Sequence, residues 1–198
     1  MNIKEIEEVK ELYKKYLSKE GKRLVERPFV DRCMSEALSN GPLIISAPTS
    51  YGKTLVSLLE AYMTLIGSDK WEKLIVAYPT RALISQQEKR FKGTFESWAD
   101  LIGSRHMGAA ESKYFSKPVT ITTYDTLSMT SFGLSPDDSI STNPEDYFLP
   151  HYIFSRFSAL VSNVVLDEAH LLYDSQKSLN YLFLLAQLFV EVLNRRLT

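Results

Sequence analysis

The stretch that decides the fold is Ala47-Pro48-Thr49-Ser50-Tyr51-Gly52-Lys53-Thr54. An apolar run at residues 43–46 precedes it, and a second apolar run at residues 55–62 follows it. We therefore predict a buried strand that ends at this octet and a helix that begins after it. A helix start offers free backbone N–H groups and the positive end of the helix dipole, so the octet is an expected phosphate-binding loop.

Three residues of the octet have specific expected roles. Gly52 lets the backbone turn close to the phosphates, Lys53 reaches the β- and γ-phosphates, and the Thr54 hydroxyl ligates Mg²⁺. The usual pattern begins with glycine, whereas this chain has alanine at that position. The alternative is an ordinary strand, turn and helix with a chance Gly-Lys-Thr, and the rest of the chain decides between the two. The other residues expected to bind ATP are Thr49, Ser50 and Tyr51.

Composition limits the class of protein. The 198 residues are 44% hydrophobic and 24% charged, which suits one domain with a complete core. The net charge of −1 gives the chain as a whole no affinity for polyanions, so any contact with nucleic acid must be local. The single cysteine, Cys33, excludes an internal disulfide framework. We see neither a membrane span nor a signal peptide, and we expect a cytoplasmic protein.

Strand-like and helical segments alternate along the chain. The alternation predicts a parallel α/β sheet with helices on both faces. Residues 1–40 are predicted to be a helical segment that packs on the core, and residues 41–198 form the α/β domain. Residues 133–146 are rich in turn formers and are predicted to be a surface excursion. Further strands are expected at residues 74–78, 103–106, 119–123 and 161–166, and helices at residues 81–98 and 177–196.

A second group of polar residues follows the last predicted strand, in Val164-Val165-Leu166-Asp167-Glu168-Ala169-His170. Ligands collect at the carboxyl ends of parallel strands, so Asp167 is expected beside the phosphate loop. Asp167 would hold Mg²⁺ through water, and Glu168 would orient and deprotonate the water that attacks the γ-phosphate. His170 would couple this site to a neighbouring domain, or it is an ordinary hydrogen-bonded helix residue.

Four segments occur in order: APTSYGKT, AYPTRALISQQ, TITTYDTL and VVLDEAH. Together they resemble the first RecA-like domain of a superfamily 2 DExH helicase over residues 27–196. The resemblance implies a P-loop fold that binds ATP with Mg²⁺. Within the superfamily, TTYDTL and HYIFSRFSALVSNVVLDEAHLL are most similar to the CRISPR-associated helicase of type I interference systems.

The resemblance also implies contacts with the phosphates of a nucleic-acid strand. Arg81 matches a strand-gripping motif, and its guanidinium suits phosphate oxygens; the alternative is that it only begins a helix. Thr122 and Thr123 match a second such motif; the alternative is a threonine pair with strand propensity. Such contacts predict binding that is independent of sequence and weakened by salt. The other residues expected to contact the nucleic-acid strand are Thr80 and Gln86.

Partners and limits follow from the same resemblance. A second RecA-like domain, which supplies arginine fingers in these motors, is expected outside the chain, so we expect residues 1–198 to hydrolyse ATP slowly and to unwind nothing. A CRISPR effector complex and a separate HD nuclease are further expected partners, and single-stranded DNA is favoured over RNA. Selectivity for adenine is not predicted, because Val30-Asp31 follows Arg27-Pro28-Phe29 where the family often has glutamine. The alternatives are a DExH helicase of DNA repair or RNA metabolism and a nucleotide-gated binding module.

Overall fold

A five-stranded sheet lies at the centre of the computed structural model, which describes residues 3–39, 41–68, 71–106, 109–132, 153–174 and 176–198. The strands are β1 (Leu74–Tyr78), β2 (Ile102–His106), β3 (Ala109–Ala110), β4 (Val119–Thr123) and β5 (Asn163–Leu166). Their order across the sheet is β3-β2-β4-β1-β5, and only β3 is antiparallel to its neighbour.

The predicted strands at 74–78 and 119–123 are confirmed residue for residue. The predicted excursion at 133–146 lies outside the described residues.

Seven α-helices of the described residues surround this sheet. Short 3₁₀ segments at Glu96–Leu101, Lys113–Phe115 and Ala169–Asp174 join some of the elements, and a π-helix at Gln187–Val192 extends the last helix. No described helix is long and apolar enough to cross a membrane. The α-helices are α1 (Ile3–Lys19), α2 (Pro28–Ala37), α3 (Thr54–Leu65), α4 (Arg81–Thr94), α5 (Tyr124–Ser131), α6 (Ser155–Leu160) and α7 (Gln176–Ala186).

The two faces of the sheet are covered by different helices. Side chains alternate between faces along a strand, and β1 divides accordingly. Its residues Leu74, Val76 and Tyr78 join a buried cluster with α1 to α4, whereas Ile75 and Ala77 join a second cluster with α5 to α7. All five residues are at most 1% exposed. The predicted parallel sheet with helices on both faces is therefore confirmed.

Gly93 allows α1 to approach α4 closely. A Cβ atom at this position would lie 2.6 Å from Cε2 of Tyr16, closer than carbon atoms pack. We therefore expect Gly93→Ala to lower the free energy of unfolding by about 1–3 kcal/mol, as overpacking usually does, although alanine favours a helix by about 1 kcal/mol. Denaturant unfolding of Gly93→Ala, with Ser85→Ala on the exposed face of α4 as control, measures this. A Gly93→Ala protein as stable as the native one would contradict the close approach.

The predicted buried strand at residues 43–46 is wrong. These residues belong to no strand, and the side chain of Ile44 is 95% exposed. The N–H of Leu43 donates to the carbonyl of Leu197 at 2.9 Å, and Leu197 pairs in parallel with Val164 of β5. The end of the chain thus lies between residues 43–46 and β5. A short apolar run indicates burial but not which neighbour supplies the hydrogen bonds, which is why the sequence misled here.

The predicted helices at 81–98 and 177–196 are both shorter in the structure. The first ends at Thr94 and gives way to the 3₁₀ segment. The second ends with the π-helix at Val192, and Asn194 follows with a positive φ of 50°. This change of direction lets residues 196–198 run beside β5, where Val164 N–H donates to Arg196 and Leu166 N–H donates to Thr198.

A buried ion pair anchors this terminal segment. Nε of Arg196 lies 3.2 Å from Oε1 of Glu60 in α3, and the two side chains are only 7% and 0% exposed. The Thr198 hydroxyl donates to the same oxygen at 2.7 Å, and Nη1 of Arg196 donates to the carbonyl of Ser39 at 2.7 Å. Burial raises the pKa of Glu60 to about 7, although Arg196 opposes the rise.

Candidate active site

The phosphate loop has the backbone that a tight turn before a helix requires. Ser50 and Gly52 have positive φ values of 59° and 101°, and α3 begins at Thr54. A Cβ atom on Gly52 would lie 3.1 Å from Cγ2 of Val30, so both the conformation and the space favour glycine. Thr49 and Ser50 are exposed. The loop therefore presents its backbone to solvent at the start of a helix, which is the arrangement that binds phosphate.

Residues at the start of α2 pack on the phosphate loop. The guanidinium carbon of Arg27 lies 4.1 Å from the centre of the Tyr51 ring, and the ring of Phe29 meets the same ring edge-on at 5.7 Å. Cation–π and edge-to-face contacts of this kind stabilise the position of an aromatic side chain. Tyr51 thus ties the loop to the N-terminal helices.

The acidic residues lie directly opposite the loop. Asp167 follows β5, and its N–H donates to the carbonyl of Ala77 in β1 at 3.0 Å. The hydroxyl of Tyr124 donates to the Asp167 carbonyl. Glu168 follows with a positive φ of 60°, and its Oε2 lies 3.6 Å from Nζ of Lys53. The two motifs that are distant in sequence therefore meet at the carboxyl edge of the sheet.

The electrostatics of this edge favour a cation. Burial, together with the neighbouring charge of Glu168, raises the pKa of the Asp167 carboxyl above its ordinary value, and Lys53 and Arg90 oppose the rise. Nδ1 of His170 lies 3.3 Å from Oε2 of Glu168, and the His170 side chain is 66% exposed. His170 therefore contacts Glu168 on one side and solvent on the other.

The donor set at this edge fits Mg²⁺. The hydroxyl of Thr54 and the carboxylate of Asp167 are hard oxygen ligands, and a hard cation would relieve the repulsion between the two carboxylates. Among the described residues, no group of three or more His, Cys, Asp or Glu side chains is placed to hold a metal. Mg²⁺ in nucleotide sites keeps several waters and shares its coordination with phosphates, so one or two protein ligands are enough for it.

Arg90 was missed in the sequence, and the structure places it in the site. Its Nη1 donates to the Thr54 hydroxyl at 3.3 Å and to Oε1 of Gln87 at 3.1 Å. The charge of Arg90 also acts on Asp167. In the sequence, Arg90 is one of several polar residues of α4, and no spacing indicated that it turns toward the phosphate loop.

The residues assigned to a nucleic-acid strand divide into two groups. Thr80 and Arg81 lie exposed at the start of α4, and Gln86 is exposed further along it. Thr122 and Thr123, in contrast, are 0% and 6% exposed. Both groups lie near the carboxyl edge that carries Asp167, because β1 and β4 run side by side with Tyr78 opposite Thr123.

The two threonines already have partners within the protein. The Thr122 hydroxyl donates to the carbonyl of Arg105 at 2.5 Å. The Thr123 hydroxyl caps α5 by accepting the N–H of Thr126 at 3.1 Å. Their role at a strand of nucleic acid stays a prediction, and in this conformation the exposed residues of α4 are the accessible ones.

A separate cavity lies away from this edge. It measures about 340 Å³ and lies at the opposite end of the sheet, where Trp71, Glu72 and Asn163 precede or begin β1 and β5. Its charged residues pair with carboxylates, Arg195 with Glu72 at 3.7 Å and Arg196 with Glu60. The open carboxyl edge, rather than this cavity, combines a phosphate loop with acidic residues.

A parallel sheet whose carboxyl edge joins a Gly-Lys-Thr loop to an Asp-Glu pair defines a P-loop nucleotide-binding domain of the RecA-like type. The family model of the DEAD/DEAH box helicases matches residues 27–193, and the chain belongs to this family. The assignment to a superfamily 2 helicase domain is thereby confirmed. In full-length relatives this domain hydrolyses ATP.

The fold has a solved counterpart in the UvsW helicase from bacteriophage T4. The two structures superpose with a TM-score of 0.56 and 20% sequence identity. The match covers 93% of this chain and 57% of the UvsW chain, so the chain spans little more than half the length of that helicase. At this identity the likeness concerns the fold. Comparison with curated protein sequences gives no match.

Proposed function

We propose that this chain is the N-terminal ATP-binding domain of an ATP-dependent helicase or translocase that moves along a single strand of nucleic acid. The observation that carries the proposal is the 3.6 Å approach of Lys53 to Glu168, because it joins a phosphate-binding loop to a candidate base. The exposed start of α4, with Thr80 and Arg81, lies at the same edge of the sheet. Membership of the helicase family supports both assignments.

Each residue of the candidate active site has a distinct proposed role in ATP hydrolysis. Lys53 and the backbone of residues 49–54 bind the phosphates, and Thr54 with Asp167 would hold Mg²⁺, which supplies charge neutralisation when bound. Glu168 accepts the proton of the attacking water. The contact between His170 and Glu168 lets a neighbouring domain influence that base. The Lys53 ammonium has three donors, and at 3.6 Å from Glu168 it is close enough to the base to link phosphate binding to it.

The finer proposals rest on the sequence resemblance. Single-stranded DNA as the track, and a place in a type I CRISPR interference system with an effector complex and a separate HD nuclease, follow from TTYDTL and the segment around VVLDEAH. A helicase of DNA repair or RNA metabolism and a nucleotide-gated binding module are the competing proposals. We also propose a division into a helical segment, residues 1–40, and a RecA-like unit, residues 41–198, that works with a second RecA-like domain.

ATP hydrolysis by the protein together with its second domain tests the proposal. We expect single-stranded DNA to stimulate hydrolysis more than single-stranded RNA, duplex or no nucleic acid, and Lys53→Ala to abolish it. Lys89→Ala is the matched control, because Lys89 is 71% exposed and pairs with Glu20, the residue that follows α1. Stimulation by RNA alone would overturn the CRISPR proposal and retain the helicase. Binding of nucleotide and strand without hydrolysis would favour the binding module.

Arg81 offers a test of strand binding that is separate from hydrolysis. We expect Arg81→Gln to weaken binding of single-stranded DNA and to reduce the slope of log affinity against log salt by about 0.7, the loss of one phosphate contact on a single strand. Fluorescence anisotropy of a labelled oligonucleotide over a salt series measures both. Arg32→Gln, an exposed arginine of α2, is the control. An unchanged slope would show that Arg81 does not contact a phosphate.

A further inference from the structure

Arg90 is a cation placed inside the candidate metal site. Its guanidinium comes from α4 rather than from either nucleotide motif, and it donates to the one side-chain hydroxyl of the phosphate loop expected to ligate Mg²⁺. Gln87, one turn earlier and 7% exposed, accepts a second hydrogen bond from the same nitrogen, Nη1. A guanidinium only donates, so this contact takes an acceptor lone pair of the Thr54 hydroxyl.

The neighbours of Arg90 show what its charge does there. Asp167 and Glu168 stand side by side at the end of β5, and burial makes the negative charge of Asp167 costly. Lys53 is engaged with Glu168 at 3.6 Å, and Arg90 reaches the phosphate loop from α4 through its 3.3 Å hydrogen bond to Thr54. The carboxyl edge that carries the two carboxylates therefore also holds two protein cations, Lys53 from the phosphate loop and Arg90 from the helix that follows β1.

We propose that Arg90 supplies the positive charge of the metal site when no metal ion is bound. With no metal loaded, it holds the Thr54 hydroxyl and offsets the charge of Asp167, so that a free triphosphate meets less repulsion. With Mg²⁺ loaded, both ligands belong to the metal and Arg90 is no longer needed there. Arg90 thereby limits how much Mg²⁺ improves nucleotide binding, which is a coupling between two ligands. This inference rests on the proposed function, because it presupposes that the loop binds ATP.

The expected signature is a change in the effect of Mg²⁺ rather than in affinity alone. In Arg90→Met, which keeps an unbranched, flexible side chain and removes its charge, we expect weaker nucleotide binding in EDTA and nearly native binding in excess Mg²⁺. The ratio of the two dissociation constants should grow about tenfold over that of the native protein, the size expected for one lost hydrogen bond from a charged group. A fluorescent, slowly hydrolysed ATP analogue is the probe in both conditions.

Three further variants separate charge from structure. Arg90→Lys keeps the charge and should keep the ratio within about threefold of native, because the electrostatic part survives. Arg90→Gln is polar but neutral and shorter than arginine, and it should behave as Arg90→Met does, which also covers the case in which methionine impairs folding. Lys89→Met removes a neighbouring exposed cation and should leave the ratio unchanged.

The outcomes are distinguishable. If neutral variants at Arg90 lower nucleotide affinity equally with and without Mg²⁺, or leave both unchanged, Arg90 is a structural residue and the inference is overturned. If the native protein binds the analogue in neither condition, or binds it equally well after Lys53→Ala, the proposed function is overturned and the inference with it. Native binding that depends on Lys53, combined with an unchanged ratio in Arg90→Met and Arg90→Gln, overturns the inference alone.

Discussion

Replacement of Glu168 by glutamine is expected to lower the rate of ATP hydrolysis by about 10²–10⁴-fold, the usual contribution of a general base. Glutamine keeps the size of the side chain and cannot take the proton of the attacking water. Nucleotide affinity should not fall, because the variant also releases Lys53 from its 3.6 Å contact with the carboxylate. Steady-state kinetics in the presence of single-stranded DNA measure this as a loss of kcat without a rise in KM.

A matched substitution controls for the loss of a negative charge. Glu72 is 67% exposed and pairs with Arg195 at the opposite end of the sheet, so Glu72→Gln should leave hydrolysis within about twofold of native. The assignment of Glu168 as the base would fail if Glu168→Gln retained more than about a tenth of the native rate. A rise in KM with an unchanged kcat would instead place Glu168 in nucleotide binding.

Replacement of Arg196 by alanine is expected to lower the free energy of unfolding by about 3–5 kcal/mol. It would leave Glu60, which is fully buried, without its cation, and removing one partner of a buried ion pair has a cost of this size. The variant also loses the donor to the carbonyl of Ser39. Denaturant unfolding followed by circular dichroism measures the change, with Arg195→Ala as the control; the Arg195 side chain is 29% exposed and pairs with the exposed Glu72, so this variant is expected to cost less than about 1 kcal/mol.

The loss in Arg196→Ala should depend on pH. The pKa of Glu60 in the folded protein, about 7, lies above its ordinary value of 4.5, so the folded state binds the proton more tightly than the unfolded state does. Stability therefore falls as the pH rises between these values, and without Arg196 the fall extends to higher pH. We expect a small deficit near pH 5 and a deficit that grows as the pH rises above about 7. The double variant Glu60→Leu with Arg196→Met should regain much of the loss, and a deficit independent of pH would contradict the account.

The elements that the sequence predicted well are those whose pattern is local. β1 and β4 are short apolar or alternating runs bounded by proline or turn residues, and their limits are predicted to the residue. The family assignment rests likewise on motifs that are contiguous in the chain. Asp167 and Lys53 could be placed at one edge because a parallel sheet brings the ends of its strands together.

The features that sequence reasoning missed depend on contacts between distant residues. Glu60 and Arg196 are 136 positions apart, and each looks like an ordinary charged helix residue until burial brings them together. Similarly, no pattern in the sequence indicates that Arg90 faces Thr54 rather than solvent. The run at residues 43–46 was predicted as a strand from its apolar character, yet its hydrogen-bond partner is the far end of the chain.

The course of residues 196–198 has a practical consequence for labelling this protein. The last residues run parallel to β5, and Thr198 is hydrogen-bonded to Leu166, one position before Asp167. A fluorescent label attached at Thr198 therefore lies near the edge where nucleotide is expected to bind. A donor fluorophore at Thr198 would thus report directly on a nucleotide arriving at that edge.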